Sequence, residues 1–394
     1  MKALCGVEAH AAALAGLPVM TPVRLSKLLD GFKPEMAWSA VRAGTHPADP
    51  RRRFAYEARK TDVPEVGERY TRAGVRVLLP DAADYPSMLV GDPGAPAVLF
   101  ALGDPTAPEG RPRVAIVGTR SATHYGRQVA SDLASELAGA GVVVVSGLAR
   151  GIDGAAHAGV VRGAADVGAP PVAVVGTGLD VVYPSSNGEL WSEVADRGVI
   201  FSESPLGRQP RPGVFPARNR IIAALSDVVV VVESHYGGGS LYTAEAAARR
   251  SIPVCAVPGS VHSRASEGTN ALLVDGCVPV RDATDVLVAI SLARAGRESE
   301  VGPGSSSAPG ARTSRSTPNH PTRSTTGGRR PQASAEAAMD APQRAVWEAV
   351  DDTPTAFETI LIRTDLTIPA AAEACEHLVE QGQLVAGAGW WSKS

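Results

Sequence analysis

Apolar residues fall into two patterns along this chain. Ala115-Ile116-Val117 and Val142 to Val145 are continuous runs without the alternation of a half-exposed strand, which suits strands covered on both faces. Between them Tyr125, Val129, Leu133 and Leu137 recur every fourth position, one apolar stripe of a helix. Strand, helix and strand predict a βαβ unit. Pro171 to Val175, Val199 to Ser202, Val228 to Val232 and Val254 to Val257 are further strand candidates, with helical spacers around Glu189 to Asp196, Arg218 to Leu225 and Leu241 to Arg250. This alternation over residues 113–295 predicts an α/β fold with a doubly wound, mostly parallel sheet. Val75 to Gly103 reads as an extended piece leading into it, so the domain is drawn at 75–295.

Right-handed crossovers place the loops after the strands on one rim, where open α/β sheets bind ligands. Gly118-Thr119-Arg120-Ser121 and Ser146-Gly147-Leu148-Ala149-Arg150-Gly151 both combine glycine, hydroxyl and arginine. Glycine admits backbone N–H groups to an oxyanion, a helix N-terminus adds its dipole, and arginine adds a forked cation. The pattern points to a phosphate site; the other reading is a pair of tight strand-to-helix turns. Gly237-Gly238-Gly239-Ser240-Leu241-Tyr242-Thr243 opens a helix after another apolar strand, the position for a further cradle using Gly239, Ser240 and Thr243. Phe215-Pro216-Ala217-Arg218-Asn219-Arg220 puts an aromatic beside two arginines, and with Arg208 and Arg211 this stretch has no acid. Rings stack bases while guanidinium groups hold phosphates, so the segment suggests single-stranded nucleic acid; a basic surface loop is the alternative. Asp153 and His157, four apart on one helical face, read as structural support rather than an acid/base pair, because no nucleophile motif accompanies them.

Composition narrows the chemistry. No lysine occurs between Thr61 and Ser392, which removes a Walker A loop and Schiff-base catalysis from the core. Gly176-Thr177-Gly178 lacks the third glycine of a dinucleotide fingerprint. The cysteines are scattered and the histidines form no ligand motif, so neither a metal nor any other cofactor is expected. No apolar run has membrane-spanning length, and a cytoplasmic protein without membrane contact is expected.

Residues 1–74 read as a helical N-terminal region, anchored by Leu25, Leu28 and Leu29. Residues 296–335, rich in Gly, Ser, Thr, Pro and Arg, have too few large apolar groups to offset ordering and predict a disordered linker. Residues 336–394 suggest three helices and a terminal hairpin, the pattern of a winged-helix-like domain. Ten acidic residues against Arg344, Arg363 and Lys393 disfavour duplex contact there and favour protein contact.

Taken in order, VGTRSATHYG, SGLARGIDGAAH, GTGLDVVYPSSN, FPARNRIIAALS, GGGSLYTAEAA and VPGSV…SEGTNALL resemble the DNA-processing protein A (DprA, also Smf) family. The likeness is dense from about Asp84 to Leu287; Thr119, Tyr242 and Cys277 depart from its usual residues without changing the reading. It implies an extended Rossmann-like domain that binds single-stranded DNA, a homodimer, and the loading of RecA recombinase during natural transformation, without enzymatic activity. Residue by residue, it implies that Arg120, Ser146, Gly147, Arg150, Arg218, Asn219 and Arg220 line or support the DNA groove, joined by Gly239, Ser240 and Thr243. Two other classes remain: a nucleoside monophosphate hydrolase using Gly239, Thr243 and Glu245, and a protein-interaction adaptor.

Overall fold

The apolar runs become the centre of a nine-stranded sheet in the computed structural model, which describes residues 4, 6–163, 168–211, 214–300, 339–350, 355–381, 383–386 and 390–393. Its strands are β1 (Val75–Leu78), β2 (Leu99–Gly103), β3 (Arg113–Val117), β4 (Val143–Ser146), β5 (Val172–Val175), β6 (Val199–Ser202), β7 (Val228–Val231), β8 (Val254–Ala256) and β9 (Val278–Pro279). The spatial order is β1-β2-β6-β5-β4-β3-β7-β8-β9. From β6 to β9 all pairs are parallel; β1 and β2 add an antiparallel edge. The chain leaves β3 towards β4, β5 and β6, then returns to place β7 on the other side of β3. The switch point of the sheet therefore lies between the carboxyl ends of β3 and β7, where a ligand crevice forms.

Both faces of the central strands β3 to β7 are covered, which is why they carry no polar alternation. Helices His124–Gly139, Ile152–Gly163 and Ala283–Glu300 bury Leu133, Leu137, Val160, Val286 and Ile290 against one face. Val214–Ala224 and Leu241–Ala248 cover the other. In β5, Val172 and Val174 join this second layer, whereas Ala173 and Val175 point into a cluster with the N-terminal helices.

The first 74 residues form helices Gly6–Gly16, Pro22–Leu29, Pro34–Ala43, Ala55–Lys60 and Val63–Arg72. Proline in the first two helical positions, where a missing N–H costs nothing, opens three of them, and Thr21 caps the second through Arg24 N. They share one core with the sheet: Leu14, Leu28 and Trp38 cluster with Phe100, Ile200 and Trp191. The fully buried Tyr70 accepts a hydrogen bond from Leu206 N at 3.0 Å. Residues 1–296 accordingly make one compact unit, with no packing break at 74.

Helix Ala283–Glu300 continues past residue 296, so residues 296–300 of the expected linker are helical; the remainder, 301–335, lies outside the described residues. The second unit contains helices Ala341–Ala349, Phe357–Arg363 and Ile368–Glu380 and a three-stranded antiparallel sheet of Thr355–Ala356, Leu384–Ala386 and Trp390–Lys393. Asp340 and Gln343 close its first helix with a capping box, and Val346, Ile360 and Leu378 form its core. The short strand Thr355–Ala356 was not expected from the sequence.

Candidate nucleic-acid interface

Two clefts meet on the rim. The first, about 390 Å³, sits at the switch point and is lined by Gly118, Thr119, Arg120, Phe215, Asn219, Gly239, Ser240 and Thr243 among others. The second, about 440 Å³, lies over β4 and β5 and includes Gly147, Arg150, Thr177 and Tyr183. Arg120 and Phe215 belong to both: the guanidinium carbon lies 4.5 Å from the ring centroid, a cation–π stack on the ridge between them. Tyr183 packs against Phe215, with ring centroids 5.4 Å apart. Arg120 and Arg150 are exposed.

The loop after β3 is fixed from below. Thr119 N donates to Glu233 O at 2.7 Å, and a Cβ on Gly118 would lie 2.7 Å from that same oxygen. The Glu233 carboxylate accepts from Thr123 N and from Thr123 Oγ1, at 2.9 and 2.5 Å. Gly151, at φ 80°, lets the second loop approach Thr119 O, where a Cβ would come within 2.2 Å. The rim loops are thus preformed, which lowers the ordering cost of binding.

Several of the residues expected to contact phosphate also make bonds within the protein. Ser146 is fully buried, and its hydroxyl donates to Ile116 O at 2.6 Å because β4 lies directly beside β3. Gly147 is required by Arg218: a Cβ there would stand 2.2 Å from the guanidinium nitrogens. Arg218 is buried, donates to Gly147 O at 2.9 Å and to Val174 O, and pairs with buried Asp153 at 3.6 Å. Burial lowers the Arg218 pKa to about 10, opposed by the Asp153 charge, so it remains a cation at neutral pH. Burial likewise pushes the Asp153 carboxyl up, and Arg218 and Arg120 oppose it. Arg220 lines neither cleft; on the other side of its helix it pairs with Glu203 at 2.7 Å. Asn219 bridges the segments, its amide donating to Gly239 O at 3.1 Å. Ser240 is nearly buried and donates to Ser234 Oγ at 2.9 Å, and Thr243 is almost wholly buried beneath the same loop.

Asp153 is buried in the lining of the first cleft, and His157 lies behind it on the same helix. His157 is fully buried, with Nε2 3.1 Å from Val172 O, and burial lowers its pKa to about 4. Tyr183 and Glu233 were given no role from sequence. Tyr183 stood in the quoted GTGLDVVYPSSN motif, and Glu233 is the acid that ends the apolar run of β7.

A sequence model of the family described as DNA recombination-mediator protein A matches residues 76–291, from β1 to the last helix of the unit. The chain belongs to this family. Among its relatives, Protein Smf of Synechocystis is 35% identical over 308 residues, covering 76% of this chain and 75% of that protein. DNA processing protein DprA of Bacillus subtilis is 36% identical over 224 residues, 57% of this chain and 74% of that protein. The crystal structure of DNA processing protein A from Streptococcus pneumoniae superposes with a TM-score of 0.62 at 30% identity, covering 73% of this chain and 98% of that one. The family match takes in both clefts and every rim loop described above.

Proposed function

We propose that the rim binds single-stranded DNA, with phosphates held by Arg120, Arg150 and backbone amides and a base stacked near Phe215. The observation that carries this is the Arg120–Phe215 stack on the ridge shared by the two clefts. A cation and a ring together on one exposed ridge match the backbone and the base face of a single strand; a duplex keeps its base faces stacked inside. Recognition is largely independent of sequence, since phosphates and ring faces carry no base-edge code. Arg218, in the wall of the first cleft, is braced by Asp153.

In this reading the protein protects incoming DNA in the cytoplasm, acts as a homodimer and loads RecA recombinase during natural transformation. Membership in a family described as recombination mediators supports it. The acidic terminal unit, winged-helix-like in its order of elements, is the part suited to protein contacts. The protein works by binding, not by catalysis. For the hydrolase alternative, Gly239 and Thr243 line the first cleft, but Glu245 is outside its lining and pairs with Arg249 at 3.4 Å.

A mobility-shift comparison of single-stranded and duplex oligonucleotides tests the proposal, beside incubation with nucleoside monophosphates. The single strand is retained preferentially, no base is released, and Phe215→Ala weakens binding by about 1–3 kcal/mol, the worth of one stacked base. Base release without a shift would favour the hydrolase, and neither result would favour the adaptor.

A further inference from the structure

We infer that the second cleft seats a second nucleobase, with Tyr183 as its stacking platform; this rests on the single-strand reading above. Gly176 to Asn187 connects β5 to the next helix and borders the second cleft, and the strand contacts proposed above do not use it. Tyr183 nevertheless lines the second cleft at 40% exposure, beside Arg150 and opposite the shared Phe215. Its ring meets Phe215 at an interplanar angle of 32°.

The turn that displays this ring is pinned at several points. Thr177 Oγ1 donates to Val181 O at 2.8 Å, and Ser202 Oγ donates to Thr177 O at 2.7 Å. Asn187 Nδ2 reaches across to Leu148 O at 3.0 Å, fastening the turn to the loop that carries Arg150. None of these bonds uses the tyrosine side chain. Apart from its packing on Phe215, the ring borders the cleft as a partly exposed apolar surface. Such a ring beside an exposed cation suits a base with its phosphate. A strand crossing the Arg120–Phe215 ridge would place successive bases in the two clefts, with Phe215 serving the first and Tyr183 the second, and Arg150 beside the phosphate.

The test uses the full chain and a labelled oligothymidylate, beside an oligonucleotide of the same length with abasic sugars throughout. Tyr183→Ala should weaken binding of the oligothymidylate about tenfold and leave the abasic strand within about twofold, because only base stacking is lost. Tyr183→Phe should bind like the unaltered protein. Arg150→Ala, by contrast, should weaken both strands, since it acts on phosphate. Should Tyr183→Ala not melt cooperatively, Tyr183→Leu fills the space without a ring and should show the same selective loss. The inference is overturned if the ring-less variants bind oligothymidylate normally, or lose the abasic strand equally. If Phe215→Ala weakens binding and the Tyr183 variants do not, this inference alone fails; if the unaltered protein does not bind single strands, both readings fail.

Discussion

At the scale of the residue, arginines that look alike in sequence divide into two kinds. Arg120 and Arg150 are exposed on the rim, whereas Arg218 is buried in the wall of the first cleft against Asp153 and two backbone carbonyls. Arg218→Ala would leave Asp153 buried without its partner, so it should cost roughly 3–5 kcal/mol of stability. Arg120→Ala removes one exposed cation–π contact and should cost no more than about 1 kcal/mol. Denaturant unfolding of the two variants checks this, and equal losses would show that Arg218 is not a structural clamp. The FPARNR motif revealed that arginines gather here. It could not show which one is buried, because the acceptors come from β5, the loop after β4 and Asp153, all distant in the chain. Gly147 was legible as a glycine that something must approach; that the approaching group is Arg218 depends on the same long-range packing.

At the scale of the element, the strands of the parallel sheet were the most legible part, since burial on both faces writes itself as unbroken valine runs. The antiparallel edge was less so: β1 and β2 pair through Val75 and Leu102 to Leu78 and Leu99, and nothing local in either segment names its partner. The helix Ile152–Gly163 is joined to β5 by His157, whose burial favours the neutral ring. Unfolded histidine titrates near 6.5, whereas His157 in the fold titrates at about 4, so unfolding takes up a proton between those values. Its contribution is complete above pH 6.5 and falls as the pH is lowered towards 4, with roughly 2 kcal/mol lost by pH 5. Unfolding measured at pH 7 and pH 5 should show this loss, and it should shrink in His157→Gln. A variant with an undiminished loss would place the pH sensitivity elsewhere.

At the scale of the whole molecule, residues 1–296 carry the sheet, the N-terminal helices and both clefts as one unit, and the acidic terminal unit has its own core. Helicity in the first 74 residues was legible from their leucines. Their union with the sheet was not, because the contacts of Leu14 and Leu28 with Phe100 and Ile200 cross long stretches of chain. The central claim is electrostatic and places the strand on the rim of the first unit. It is tested most directly by single-strand affinity across a salt series, for the full chain, a chain truncated after Glu300, and the Arg120→Ala/Arg150→Ala double variant. Log affinity should fall linearly with log salt, equally steeply for the full and truncated chains. The double variant should be shallower by about 1.4, or about 0.7 for each phosphate contact removed. Affinity insensitive to salt, or an unchanged slope in the double variant, would contradict the account.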